Sequence, residues 1–163
     1  MNNKMKILLF FIALIGVVFA DLARFAKCGK RYSDDICEVT EVRINPCKDG
    51  RFCRLTKGEE SSIEFDFIPK FNASNLTTGL YWAALKRDVP FVDFPEVNAC
   101  LLTSCPTVAG SKQQLSYTTR LSETLPTGRW TFKWKLWSSE DKKKVCCFKT
   151  EVSLALKTTN TVI

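Results

Sequence analysis

Eight cysteines, the first at Cys28, constrain this chain more than any other feature. Two pairs are close in sequence. Asn98-Ala99-Cys100-Leu101-Leu102-Thr103-Ser104-Cys105-Pro106 sets two cysteines five positions apart and closes them with a proline. Cys47-Lys48-Asp49-Gly50-Arg51-Phe52-Cys53 makes a second short clip after an apolar, strand-like segment. A metal site fits these cysteines poorly: the chain has no histidine and no Cys-x-x-Cys pair, and structural zinc sites are built from such groups. An even count in an exported chain points instead to four disulfides.

Export is written at the start of the chain. Lys4 and Lys6 form a positive region, Ile7 to Phe19 is apolar, and Val18-Phe19-Ala20 offers a small-residue cleavage site before Asp21. This is a signal-peptide pattern, assigned to residues 1–20. The apolar run is well short of the ~20 residues a membrane-spanning helix needs. Residues 21–163 then form one domain, large enough for a real core. The local clips suggest Cys47–Cys53 and Cys100–Cys105. Cys28 and Cys37 remain near the start, with Cys146 and Cys147 near the end. The simplest solution ties the N-terminal region to the last strand twice. A bridge closing a loop of ~100 residues stabilises by about 4–5 kcal/mol in the chain-entropy model.

Alternation supplies the fold class. Trp130, Phe132, Trp134 and Leu136 share one parity, and Arg129, Thr131, Lys133 and Lys135 the other. Ile63, Phe65 and Phe67 alternate with Glu64 and Asp66, and Val42 and Ile44 with Glu41 and Arg43. Phe148, Val152 and Leu154 oppose Lys149, Glu151 and Ser153, while Leu115, Tyr117 and Leu121 mark another strand. This is the period-two signature of strands with one dry face. Gly79 to Leu85 is uniformly apolar, and parity assigns it no faces. Turns are expected at Asn45-Pro46, Lys57-Gly58, Asn72 to Gly79, Asp93 to Cys105, Pro126 to Gly128 and Ser138 to Lys144. Six or seven such strands predict an all-β chain of two packed antiparallel sheets, a disulfide-stapled β-sandwich.

Nothing in the chain points to an enzyme. Without histidine, Ser-His-Asp and Cys-His triads are excluded. Bridged cysteines are not nucleophiles. Glu64 with Asp66 reads as an outer strand face, and Asp34 with Asp35 as a turn. No cofactor is implied.

The chain resembles a known family through an ordered series of short motifs: Cys28-Gly29, Glu41-Val42-Arg43-Ile44-Asn45-Pro46-Cys47, Cys53-Arg54-Leu55-Thr56-Lys57-Gly58, Val89-Pro90-Phe91, Asn98-Ala99-Cys100, Cys105-Pro106 with Gly110, Leu125-Pro126, Trp134-Lys135-Leu136 and Cys147-Phe148. These are similar to the ML lipid-recognition family, in particular the soluble Niemann–Pick type C sterol carriers and their arthropod relatives, the group-two mite allergens among them. The resemblance spans nearly the whole of residues 21–163. It implies an immunoglobulin-like β-sandwich whose sheets part at one end around an apolar cavity. It also implies the bridges Cys28–Cys147, Cys47–Cys53 and Cys100–Cys105. Cys37 and Cys146 are additional to the pattern and fall to each other, with an exchange between Cys146 and Cys147 left open. Because neighbouring strand residues face opposite ways, a bulge near Cys146 is expected to help both bridges form.

The resemblance places Phe91 at the cavity mouth and Leu125-Pro126 on the opposite rim, where the family carries an aromatic–proline pair. Trp134 falls on the wall or floor. Parity alone adds Phe65, Phe67, Trp130, Phe132, Phe148 and Val152, although an inward aromatic in any sandwich is more often core filling. The implied function is a secreted carrier, extracellular or endolysosomal, of a sterol, fatty acid or similar small apolar molecule, expected as a monomer with no nucleic-acid partner. The alternatives are a lipid-sensing co-receptor subunit and an immunoglobulin-like adhesion module.

Cleavage removes two of the 24 lysines and arginines, leaving 22 against 17 acidic residues. Arg129, Lys133 and Lys135 share a wet face, and Lys142-Lys143-Lys144 sits in the next turn. That face is suited to transient contact with anionic membranes; a solubilising surface is the plainer reading. Two glycosylation sequons, at Asn72 and Asn75, lie in a polar turn.

Overall fold

The structure, a computed structural model, describes residues 22–29, 32–48, 52–83 and 87–157. The signal segment, the middle of the Cys47–Cys53 clip and Leu85 lie outside these residues. The described residues form ten strands: β1 (Phe25–Lys27), β2 (Cys37–Asn45), β3 (Cys53–Thr56), β4 (Glu60–Pro69), β5 (Leu76–Trp82), β6 (Val89–Pro90), β7 (Val97–Asn98), β8 (Gln113–Arg120), β9 (Gly128–Ser138) and β10 (Val145–Ala155). A 3₁₀ turn, Ala99–Leu101, follows β7.

The strands form two sheets. The smaller has the order β2-β4-β8 and the larger β1-β10-β9-β5-β6, with β3 beside β10 and β7 beside β5. All pairings are antiparallel except β3 with β10. The chain therefore changes sheet from β2 to β3, back at β4, and again at β5. Gly58 makes the tight β3–β4 crossover with φ +78°, a conformation glycine adopts without a Cβ penalty. The edge strand β6 tolerates Pro90 because an edge needs no outward donor.

Hydrophobic burial follows the alternation. Val42 and Ile44 on β2, Phe65 and Phe67 on β4, Phe132, Trp134 and Leu136 on β9, and Phe148, Val152 and Leu154 on β10 are all buried in one core. Each such side chain contributes roughly 1.5–3 kcal/mol by leaving water. Rings interlock at its centre. Phe65 lies 5.7 Å from Trp134 and 5.0 Å from Phe148, both edge-on. The Trp134 indole donates to Thr78 Oγ1 at 2.7 Å, so its polar atom is satisfied in the dry interior.

Four disulfides are present: Cys28–Cys147, Cys37–Cys146, Cys47–Cys53 and Cys100–Cys105. Strand β10 runs in unbroken register with β9 from Val145 to Leu154, so the bulge expected near Cys146 is absent. The opposed directions of Cys146 and Cys147 are used directly. Cys146 faces inward and crosses to Cys37 on the smaller sheet. Cys147 faces outward and meets Cys28, which follows β1 beside β10. The irregularity falls in β2 instead, between Val39 and Glu41.

Two expected turns are corrected. Strand β5 already begins at Leu76, so the turn from Asn72 ends at Asn75. The stretch from Asp93 to Cys105 contains β7 and the 3₁₀ turn, and it inserts Phe94 into the core, where it is 1% exposed.

Candidate functional site

The sheets leave a cavity of about 50 Å³ at the end that carries the β3–β4 turn and the β8–β9 connection. The smaller sheet contributes Ile44, Ser61, Ser62, Ile63, Tyr117 and Thr119, with Leu121 just beyond β8. The larger sheet contributes Leu55, Leu80, Phe132, Trp134, Thr150 and Val152. Phe91 and Phe94 close the side from the loop after β6. That loop is tied across the sandwich: Ser122 N–H donates to Asp93 Oδ2 at 2.8 Å, and the Tyr117 hydroxyl donates to the Asp93 carbonyl at 3.3 Å. The Phe94 ring packs 4.1 Å from Tyr117 and 4.7 Å from Trp134, touching both sheets.

The residues singled out in the sequence divide clearly. Phe91, Phe132, Trp134 and Val152 line the cavity. Phe65, Phe67 and Phe148 do not; they fill the core, with Phe65 stacked on Phe67, Trp134 and Phe148. Inward parity holds for all of them, but the sheets are packed solid at their level. Phe91 is buried inside rather than exposed at a mouth, held between Trp82 at 5.1 Å and Phe132 at 4.9 Å. Trp130 is 37% exposed and lies outside the wall, stacked on Trp82 at 5.1 Å. Leu125 is buried beside the cavity without lining it, and its carbonyl accepts from the Lys57 ammonium at 2.7 Å. Pro126 is exposed. Phe94, Leu80, Tyr117 and Leu121 were not anticipated. The Phe91-x-x-Phe94 pair, which runs into the turn expected from Asp93, was the available signal for Phe94.

An ML domain profile matches residues 23–154. The chain belongs to the ML domain family. A Manduca sexta protein, "MD-2-related lipid-recognition protein", is 44% identical over 90% of this chain and 95% of its own length. The mite group 2 allergen Tyr p 2 of Tyrophagus putrescentiae is 24% identical over 75% of this chain and 80% of its own. Among solved structures, a Niemann-Pick type C2 protein from Japanese carpenter ant superposes with a TM-score of 0.65 at 17% identity, covering 81% of this chain and 99% of that one. That likeness shows the fold, an NPC2-like, immunoglobulin-like sandwich.

The outer faces of this ML domain are charged but largely self-paired. On the smaller sheet, Arg43 binds Glu41, Glu64 and Asp66, the last two at 3.2 and 2.7 Å, and Lys112 adds a 2.8 Å contact to Asp66. The hydrogen bond from Arg43 holds the Asp66 carboxyl below its usual range against the opposing effect of burial, with Lys112 assisting. The same network raises the Arg43 guanidinium. Asp66 is thus held as a carboxylate paired with two cations. On the larger sheet, Lys133 and Lys135 both pair with Asp88 and are mostly buried. Burial works against the Asp88 carboxylate, but the two lysines outweigh it and lower its pKa. Burial and the hydrogen bond to Glu96 push the Tyr81 phenol up. On the face expected to be basic, Lys133 and Lys135 share the one carboxylate of Asp88, and Arg129 lies 4.1 Å over the Phe52 ring.

Proposed function

We propose that this ML domain is a secreted, non-enzymatic carrier that holds one small apolar molecule, such as a sterol, a fatty acid or a lipid-like chemical signal, between its two sheets. The observation that carries the reading is the apolar cavity walled by Phe91, Phe94, Phe132, Trp134 and Val152. Membership in the ML family and 44% identity to a protein named for lipid recognition support it. A cavity lined this way stays dry and accepts apolar guests.

At about 50 Å³, the cavity is far below the ~300 Å³ floor of ordinary small-molecule sites. A guest must therefore spread the wall that Phe91, Phe94 and Phe132 help to form. Burying about twelve methylenes yields ~10 kcal/mol gross. Association costs of ~4 kcal/mol or more leave ~6 kcal/mol or less, an affinity of about 40 μM or weaker. The narrow cavity favours a carrier over a co-receptor subunit, which needs a wide opening with an apolar rim. The proposed setting is extracellular or endolysosomal, with the protein acting as a monomer. Asn72 and Asn75 are both exposed and are the proposed glycan sites. Titration with a fluorescent fatty acid tests the reading. Saturable binding at one site per chain, displaced by unlabelled lipid, is expected; no displaceable binding up to ~100 μM counts against it.

A further inference from the structure

The edge of β10 is covered by two strands laid end to end. Strand β1 pairs with Phe148 to Thr150, and β3 pairs with Val152 to Ala155. Phe52, just before β3, lines two surface hollows at this junction. One, of about 560 Å³, runs over β1, β9 and β10 and is lined by Arg24, Arg129 and Lys149. The other, of about 500 Å³, lies beside the Cys47–Cys53 clip and is lined by Lys48 and Arg54.

Strand parity sets the spacing of three of these cations. Lys149, Glu151 and Ser153 are outward residues of β10. Arg129 stands opposite Ser153 on β9, and Arg54 stands opposite the same residue on β3. With strands ~4.8 Å apart, the two arginine backbones are roughly 10 Å from each other. Lys149 precedes Ser153 on β10 by about 13 Å, at ~3.3 Å per residue.

Unlike Arg43, Lys133 and Lys135, none of these five cations forms an ion pair with a described residue. Glu151 is the one carboxylate lining either hollow. Arg129 lies over the Phe52 ring, a contact that positions the guanidinium and leaves its charge in place. Hollows lined by one sign of charge focus the field on an incoming ion of the other sign. The cations are spread too widely for one small anion. None of the large exposed hydrophobics lines either hollow, so a bilayer finds no apolar side chain to insert there. Arg24, Arg54 and Arg129 carry planar forks that match oxyanions such as phosphate, which sulfate resembles in shape and charge.

We propose that the outer face around Phe52 binds a linear sulfated polysaccharide, with Arg24, Arg129 and Lys149 meeting sulfates in one hollow and Lys48 and Arg54 in the other. Sulfates and guanidinium groups both keep their charge across the physiological pH range. Binding therefore responds to salt and hardly to pH between 5 and 8. The hollows lie on the outward face of the larger sheet, so they are open whether or not the cavity holds a guest.

The test titrates the protein with a heparin-derived octasaccharide at near-physiological salt. Saturable binding is expected, weakened at least about tenfold in the double variant Arg54→Glu with Arg129→Glu. Lys142→Glu with Lys143→Glu makes the same change in net charge at the far end of β9, and it should weaken binding less than about threefold. Should the first pair fail to fold, Lys48→Glu with Lys149→Glu replaces it with the same expectation. Equal losses in the groove and control variants would mean that only net charge is felt, and would overturn the proposal. Equal binding of the desulfated octasaccharide would overturn it too. Tighter binding of polyglutamate, of duplex DNA or of phosphatidylserine vesicles would assign the face to another partner and overturn it. No binding by the parent would leave a solubilising surface and overturn it as well.

Discussion

Phe94 joins the two sheets from outside the strands. It reaches from a loop to Tyr117 on one sheet and Trp134 on the other, and its ring is fully enclosed. Phe94→Ala should cost about 3–5 kcal/mol, the range for emptying a buried aromatic site, read as a lower midpoint in chemical denaturation. The same change enlarges the cavity, so lipid affinity should fall less than stability. Val152 offers the converse test. Its side chain faces the cavity from β10, and Val152→Phe fills the space a guest needs. Binding should weaken at least tenfold, or ~1.4 kcal/mol, while overpacking costs ~1–3 kcal/mol of stability. At this scale the sequence was legible only in part. Alternation tells which face of a strand a side chain occupies. It does not tell how far along the strand the sheets diverge. Phe65 and Phe132 share an inward direction, yet one fills solid core and the other borders space.

Strands β2, β4, β9 and β10 were readable because each has one wet face, and the charge on that face marks the period. Strand β5 was not. Its outer side is covered: a Cβ added at Gly79 would meet the Tyr81 hydroxyl at 3.0 Å and Glu96 at 3.2 Å, so neither face needs polar residues. The two short clips were equally visible, whereas the resemblance implied the sharing of Cys146 and Cys147 between two partners with an exchange left open, and their opposed directions on β10 account for the pairing. Cys146 links the sheets, and Cys147 links neighbouring strands of one sheet. The bridge from Cys37 to Cys146 closes a separation of 109 residues. Replacing both cysteines by serine should therefore lower stability by about 4–5 kcal/mol in the chain-entropy model, measured by denaturant titration. The remaining six cysteines should stay inert to thiol labelling under denaturing, non-reducing conditions. Labelling of Cys28 or Cys147 in that variant would mean that the two bridges depend on one another.

The whole molecule lacks histidine, so no side chain with an ordinary pKa titrates between pH 5 and 8. Its stabilising carboxylates are Asp66 and Asp88, both with lowered pKa values. A lowered folded-state pKa contributes stability that is fully present above the unfolded value of ~3.9 and is lost as pH falls through the folded one. The melting temperature should therefore stay flat from pH 8 to pH 5 and decline below about pH 4. A steep loss between pH 7 and 5 would contradict this and argue against service in an acidic compartment. In the proposed function the space between the sheets holds the guest. Native mass spectrometry of the protein after incubation with lipid is the sharpest test, with the parent and Val152→Phe run side by side. One lipid per chain on the parent, recovered by organic extraction and absent from Val152→Phe, is the predicted result. Equal lipid on both proteins, with Val152→Phe folded, would put the guest outside the sandwich and contradict the account.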